Sequence, residues 1–206
     1  MKLSVLYSAL SLMTLIMASR SALAYDMGIK GGATVTQHRI ADSMGQRFGE
    51  QSMGIGYLFG LFWQSSEPGL GYEVDLFYSR RSSVPSTIGT QEIVYVLNNL
   101  EIPVLLRYEF ESVYFGLGGY FKHGLGPVRI KGGDVIQDKD YNYASLRLYT
   151  WELGAAGTIG AKFDTGLGFI NLETRFNLGL SNRAKAPSGQ TTFDSWSYDL
   201  LLGVSF

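Results

Sequence analysis

The stretch Trp196-Ser197-Tyr198-Asp199-Leu200-Leu201-Leu202-Gly203-Val204-Ser205-Phe206 decides the fold. Its even positions are Trp196, Tyr198, Leu200, Leu202, Val204 and Phe206, and between them stand Ser197, Asp199, Leu201, Gly203 and Ser205. Alternation with period two marks a strand with one apolar and one polar face. In a soluble sandwich the apolar face points inward; in a lipid-embedded barrel it points out. The rest of the chain chooses between these.

Seven further segments alternate in the same way. In 26–36 the apolar phase is Met27, Ile29, Ala33 and Val35; in 52–63 it is Met53, Ile55, Tyr57, Phe59, Leu61 and Trp63. Segment 69–79 sets Leu70, Tyr72, Val74, Leu76 and Tyr78 against Gly71, Glu73, Asp75 and Ser79. Segments 99–108, 112–122, 148–159 and 169–180 repeat the scheme, and 195–206 completes eight. Each has about the 9–11 residues that a tilted strand needs to cross a bilayer. The apolar phase carries no charge, whereas the opposite phase carries Lys30, Glu73, Asp75, Glu101, Arg107, Lys122, Glu152, Glu173, Arg175 and Asp199.

Two features favour lipid outside. The apolar phase is built mainly of large residues, while the opposing phase is rich in glycine, of which the chain has 26. Glycine weakens a solvent-exposed strand, but in the narrow bore of an eight-stranded barrel small residues make room for long ones. Aromatics also collect near strand ends (Trp63, Tyr78, Tyr108, Tyr149, Trp196 and Phe206), as interfacial girdles do. Closure follows, because an open edge in hydrocarbon would leave backbone groups unsatisfied. Four cations and six anions in the bore are then expected to pair as a plug, since an unpaired buried charge is strongly destabilising. A gated ion path is the alternative.

The connections run long, short, long, short, long, short, long: 37–51, 64–68, 80–91, 109–111, 123–144, 160–168 and 181–194. Outer-membrane barrels have short periplasmic turns and long external loops, which puts both termini on the periplasmic side. Glu67-Pro68-Gly69 and Asp164-Thr165-Gly166 supply turn chemistry at short ends. One stretch is irregular. The apolar phase Ile93, Tyr95, Leu97 slips by one at residue 100, which predicts a bulge near Asn98-Asn99, and Pro103 sits inside a strand where it removes a donor.

The first 24 residues read as a secretory signal: Lys2, an apolar run from Leu3 to Met17, and an A-x-A site at Ala22-Leu23-Ala24. Cleavage before Tyr25 leaves 206 − 24 = 182 residues, one domain, the barrel over 25–206. Without Lys2 and Arg20 the 17 basic residues become 15 against 18 acids, near −3, which gives no support to nucleic-acid binding. There is no cysteine, hence no disulfide framework or lipoprotein anchor.

The segment Leu100-Glu101-Ile102-Pro103-Val104-Leu105-Leu106-Arg107-Tyr108, with Val113-Tyr114-Phe115-Gly116-Leu117-Gly118-Gly119-Tyr120 after it, resembles a hairpin of the PorT-like outer-membrane beta-barrel family. The resemblance covers about residues 99–121. It implies a small eight-stranded barrel in the bacterial outer membrane and tolerance of the strand proline, but no single activity. The terminal Phe206 resembles the signal read by the outer-membrane barrel assembly machinery.

Catalytic chemistry is sparse. His38 and His123 are the two histidines, and His123 with Ser145 or Ser181 and Asp140 has the components of a lipid A-modifying triad, if they meet within hydrogen-bond reach. No Cys/His spacing fits zinc; Asp134, Asp138 and Asp140 lack the glycine and glutamate of a calcium loop. The Gly-Gly pairs at 31–32, 118–119 and 132–133 open no strand–helix phosphate loop, so no cofactor is expected. Loop 123–144 carries Lys131, Asp134, Asp138, Lys139, Asp140, Tyr141 and Tyr143, a surface for an extracellular ligand or lipopolysaccharide, or simply a solvated loop. The expectation is a non-enzymatic outer-membrane barrel that meets lipid with its wall and the exterior with its loops. A lipid A-modifying enzyme and a small-solute channel are the alternatives.

Overall fold

The computed structural model describes residues 25–42, 52–65, 69–88, 91–132, 136–146, 148–166, 168–183 and 191–205. The candidate leader 1–24 and the terminal Phe206 lie outside the described residues. Ten strands follow in order: β1 (Tyr25–Asp42), β2 (Ser52–Ser65), β3 (Gly69–Ile88), β4 (Gln91–Phe110), β5 (Val113–Gly124), β6 (Val128–Gly132), β7 (Ile136–Tyr141), β8 (Trp151–Asp164), β9 (Phe169–Gly179) and β10 (Thr191–Ser205). Eight form the wall, each antiparallel to its neighbours, in the circular order β1-β2-β3-β4-β5-β8-β9-β10. The seam closes where β10 pairs with β1, from Gly28↔Ser205 to Asp42↔Thr191. The protein is an all-β, eight-stranded, antiparallel up-and-down barrel.

The two faces separate as the alternation requires. Leu70 is 70% exposed and Leu117 73%, while Glu73 is 0% and Arg175 1% exposed. A soluble protein would reverse this. Trp196 to Ser205 makes nine steps of β10, which at ~3.3 Å each and a tilt of ~40° cover roughly 23 Å, close to the height of a lipid-facing apolar band.

The wall is taller than the bilayer requires. β3 and β4 stay paired beyond the expected spans of 69–79 and 99–108, up to Ile88↔Gln91. The expected long connection 80–91 is therefore a hairpin extension with only residues 89 and 90 between its strands. Backbone pairing does not stop where hydrocarbon ends, because ladder hydrogen bonds need a partner strand and not lipid. Inside 123–144, β6 adds to the raised end of β4 (Val96↔Arg129, Val94↔Lys131), and β7 adds to β6. The opposite rim has tight ends. Asp164 Oδ1 accepts the Gly166 amide at 2.7 Å, and Gly166 takes φ 77° there. Among the described residues Glu111, in the two-residue turn between β4 and β5, is the non-glycine with positive φ, at 53°.

The bulge expected near Asn98-Asn99 is not there. Ser79↔Asn99 and Arg80↔Asn98 continue the register, and the shift falls instead between Ser83 and Ser86 of β3. The apolar phase of 92–97 does not change face. Leu97 points inward like Asn99 and Glu101, into a cluster with Val128, Ile130, Tyr143 and Leu148. Above the charged bore the interior is apolar, so inward leucine replaces inward charge without a backbone slip. Around Pro103 the β3–β4 rungs run Val74↔Val104 and then Phe77↔Glu101 in one register, while Pro103↔Tyr120 keeps the β5 side continuous. The proline thus interrupts one ladder locally, where it has no N–H to give.

Inward glycines are places where side chains from the next strand lie down. A Cβ on Gly154 would come within 2.3 Å of the Tyr120 ring, and one on Gly160 within 2.3 Å of Tyr114. Both are register partners, Tyr120↔Gly154 and Tyr114↔Gly160. The rings cover the glycine backbone and turn their other faces to cations, with the Arg107 guanidinium 3.6 Å from the Tyr114 centroid.

Candidate functional site: the lumen and the outer rim

The ten charged residues expected in the bore are all buried: Lys30, Glu73, Asp75, Glu101, Arg107, Lys122, Glu152, Glu173, Arg175 and Asp199. Four more join them, Arg81, Glu109, Lys162 and Arg183. Among the described residues the buried set is then seven cations (Lys30, Arg81, Arg107, Lys122, Lys162, Arg175, Arg183) against seven anions (Glu73, Asp75, Glu101, Glu109, Glu152, Glu173, Asp199). These fourteen balance, and the less buried Asp26 adds an eighth carboxylate to the network at the short-turn end.

They are stacked in tiers. At the short-turn end Lys162 Nζ meets Asp26 at 3.1 Å and Glu109 at 3.5 Å, and Arg107 links Glu109 to Glu73, each at 3.0 Å. Gln64 accepts from Arg107 and donates to Asp26 at 3.2 Å. In the middle tier Lys30 Nζ stands 2.7 Å from both Glu73 and Glu173. Arg175 reaches Glu73 at 2.8 Å, Asp75 at 2.6 Å and Glu173 at 2.6 Å. Tyr114 donates its hydroxyl to Glu173 at 3.0 Å.

Above this tier lies an apolar plug. Leu58 and Leu201 are both register partners of Gly32, one on each neighbouring strand, and with Phe77 they form a buried cluster. The next tier up is Arg81 between Glu101 (2.6 Å) and Asp199 (3.0 Å), with Thr34 and Asn177 donating to Asp199 at 2.5 and 2.6 Å. The uppermost tier gathers on Glu152: Lys122 at 3.0 Å, Tyr120 at 2.7 Å, Ser195 at 2.9 Å and Arg183 at 3.7 Å. Arg183 also lies over the Tyr143 ring at 5.5 Å, which joins the charged bore to the apolar cluster around Leu97.

The missed charges share one cause. Arg81, Glu109, Lys162 and Arg183 fall in the segments 80–91, 109–111, 160–168 and 181–194, all read as connections. The period-two phase carries the first three of them, since Arg81 follows Ser79 and Lys162 continues Glu152 through Thr158 on the inward face. Extending the alternation past the nominal span would have found these. Arg183 lies beyond β9 and has no such signal.

The components of the candidate triad go separate ways. His123 stacks on Phe121 on the outward face, with ring centroids 6.4 Å apart. Asp140 is held by Arg129 at 2.8 Å, and the Ser181 hydroxyl accepts the Leu153 amide at 2.8 Å. Ser145 is exposed, and His38, 3% exposed, lies on the inward face of β1 as the register partner of Ser195. The hydrogen bond from the Arg129 guanidinium lowers the Asp140 carboxyl below its ordinary 3.8. The side chains of Asp134 and Asp138 lie outside the described residues.

An apolar outer wall, aromatic rings at both rims and a closed ladder with charge inside together define an integral outer-membrane barrel protein. The model of the family described as "Outer membrane protein beta-barrel domain" matches residues 18–185, and the chain belongs to that family. It is an integral protein of the bacterial outer membrane. Among curated proteins none matches the sequence. Similar solved structures include OprG from Pseudomonas aeruginosa, at 15% identity, 89% of this chain, 97% of that one and a TM-score of 0.48. Ail of Yersinia pestis, in complex with the heparin analogue sucrose octasulfate, is similar at 12% identity, 89% and 100% coverage and a TM-score of 0.44. Neisserial surface protein A follows at 12% identity, 86% and 97% coverage and 0.41.

Proposed function

We propose that this protein is a sealed, non-enzymatic barrel whose work is done by its lipid-facing wall and its extracellular rim. The observation that carries the reading is the filled bore. Glu73, Asp75, Phe62 and Leu201 are each 0% exposed, which supports a bore closed to water at its middle. Seven ion-paired cations and anions hold it shut, and separating any of them leaves an uncompensated buried charge. The raised sheet β3-β4-β6-β7 gives the rim an ordered surface of the kind an interaction partner needs. The dispersal of His123, Asp140 and Ser181 supports the non-enzymatic reading.

Reconstitution in planar bilayers tests the seal. The wild-type protein is expected to give no conductance steps at moderate voltage. Steps that change size in Glu73→Gln or Arg175→Gln would establish a small-solute channel instead. An altered lipid A profile in cells that carry His38→Ala or His123→Ala, relative to wild type, would establish the lipid-modifying enzyme. Kinship with the PorT-like barrels is part of the same reading, supported by the hairpin in which Leu106 pairs with Leu117. So is insertion by the assembly machinery through the C-terminal strand β10, which forms the seam.

A further inference from the structure

We propose that one apolar layer, Leu58, Phe77 and Leu201 against Leu105, Tyr120 and Ala156, is a hydrophobic septum that bars ions from an otherwise polar bore. The inference rests on the sealed reading above and names the residues that make the seal.

Ladder geometry sets these side chains across the bore. Following paired residues once round the wall leads from Met27 through Trp63, Val74 and Val104, then by way of β5, β8 and β9 to Trp196 and Gln37. The return lies 37 − 27 = 10 residues higher on β1, so each of the eight steps climbs about 1.25 residues. With that climb subtracted, Leu58, Phe77, Tyr120 and Ala156 share one level to within about one residue. Leu201 and Leu105 stand about two and about three residues lower. Each packs with the cluster on its own side, Leu201 with Leu58 and Phe77, Leu105 with Tyr120 and Ala156.

Six of the eight wall strands thus give the layer an apolar side chain. β1 gives Gly32, flanked by its register partners Leu58 and Leu201. The last strand, β9, gives Arg175, the register partner of Asp199. Those two turn apart: Arg175 reaches down to Glu73, Asp75 and Glu173, and Asp199 reaches up to Arg81. Among the described residues, the ion pairs below the layer and those above it share no member. The charge network is cut at this level.

Water is needed on both sides of the layer and not within it. Below, both amide atoms of Asn171 and the Ser205 hydroxyl lack a hydrogen-bond partner; above, Asn99 Oδ1 and the Tyr143 hydroxyl lack one. Asn171 and Asn99 are each 1% exposed, and a buried amide without a protein partner calls for bound water. In the layer, Tyr120 carries the one side-chain polar atom, and its hydroxyl is given upward to Glu152 at 2.7 Å. A hydrated ion meets no polar side chain across that level on these six strands, and an apolar constriction closes a pore by dewetting. The ion pairs brace the cylinder; the dry layer stops the ion.

The test is conductance of the purified protein in planar bilayers. Leu58→Ser with Leu201→Ser puts small hydroxyls into the layer and should give conductance steps where the wild type gives none. Leu97→Ser, in the separate apolar cluster with Val128 and Tyr143, should stay silent. Heat-modifiable gel migration reports that each variant is folded. Leu201→Ser alone should give rarer steps, and it decides the question if the double variant does not fold. A folded double variant as silent as the wild type would overturn the septum and leave the sealed bore standing. Steps in Leu97→Ser as large and as frequent as in the double variant would also overturn it. Steps in the wild type itself would sink the sealed reading, and the septum with it.

Discussion

Arg81 grips Glu101 with two nitrogens, Nε at 2.6 Å and Nη2 at 2.8 Å, and turns its third nitrogen to Asp199 at 3.0 Å. One guanidinium thus ties strands β3, β4 and β10 across the bore. Ser79 donates to the same Glu101 carboxylate. Arg81→Ala leaves two buried carboxylates without their cation and should destabilise the barrel by about 3 to 5 kcal/mol. Urea unfolding in lipid vesicles measures it. Replacing Arg81, Glu101 and Asp199 together with apolar residues of similar volume should recover most of that loss, because no charge is then stranded.

The Tyr120 ring occupies the space a side chain on Gly154 would take. The Leu178 carbonyl oxygen stands equally close, 2.3 Å from that position. Gly154→Ala should therefore cost about 1 to 3 kcal/mol by overpacking, and Tyr120→Leu should relieve only the part due to the ring. A double-mutant cycle reads the coupling directly. Additive effects would show that ring and glycine do not share that space.

Leu106 and Leu105 are neighbours in sequence and opposites in environment, 60% and 1% exposed. Leu106→Arg places a cation on the lipid face, one strand repeat above the Tyr108 girdle, and should cost about 1 to 3 kcal/mol, between the interfacial and midplane values. Unfolding in vesicles should show that loss, whereas the same variant in detergent, where the head can reach water, should lose less.

Glu111 holds φ 53° in a two-residue turn. A left-handed conformation costs a residue with a Cβ about 1 to 2 kcal/mol that glycine does not spend, so Glu111→Gly should stabilise the barrel by up to about 1 kcal/mol after its larger unfolded-state entropy is counted. A higher urea midpoint with an unchanged slope is the expected reading.

On the rim, Arg129 keeps the Asp140 carboxyl below 3.8. A depressed folded-state value means that the pair is fully formed above 3.8 and is lost as pH falls through the lower folded-state midpoint. Carboxyl NMR titration should place that midpoint under 3.8 in the wild type and return it to the ordinary range in Arg129→Gln. Both groups are exposed, so overall stability should hardly move.

Much of the barrel is legible from local pattern. Alternation at Leu70 to Tyr78, or at Ile170 to Leu178, needs only the strand's two-residue repeat to tell face from face. The uncharged face and the glycine-rich face then tell lipid from bore. Both follow from sequence by itself because side-chain direction along a strand is set by backbone geometry within a few residues.

Tertiary structure alone decided how far each strand goes. Whether Arg81 continues β3 depends on the partner offered by Leu97 and its neighbours on β4, and whether Arg183 turns inward depends on Glu152, 31 residues away. The face of Leu97 was settled by β6 and the Tyr143 segment folding against it. None of these partners is near in sequence, and ladder pairing and ion pairing act between atoms that only the closed cylinder brings together. The alternation therefore told which way residues point, and closure told which charges meet.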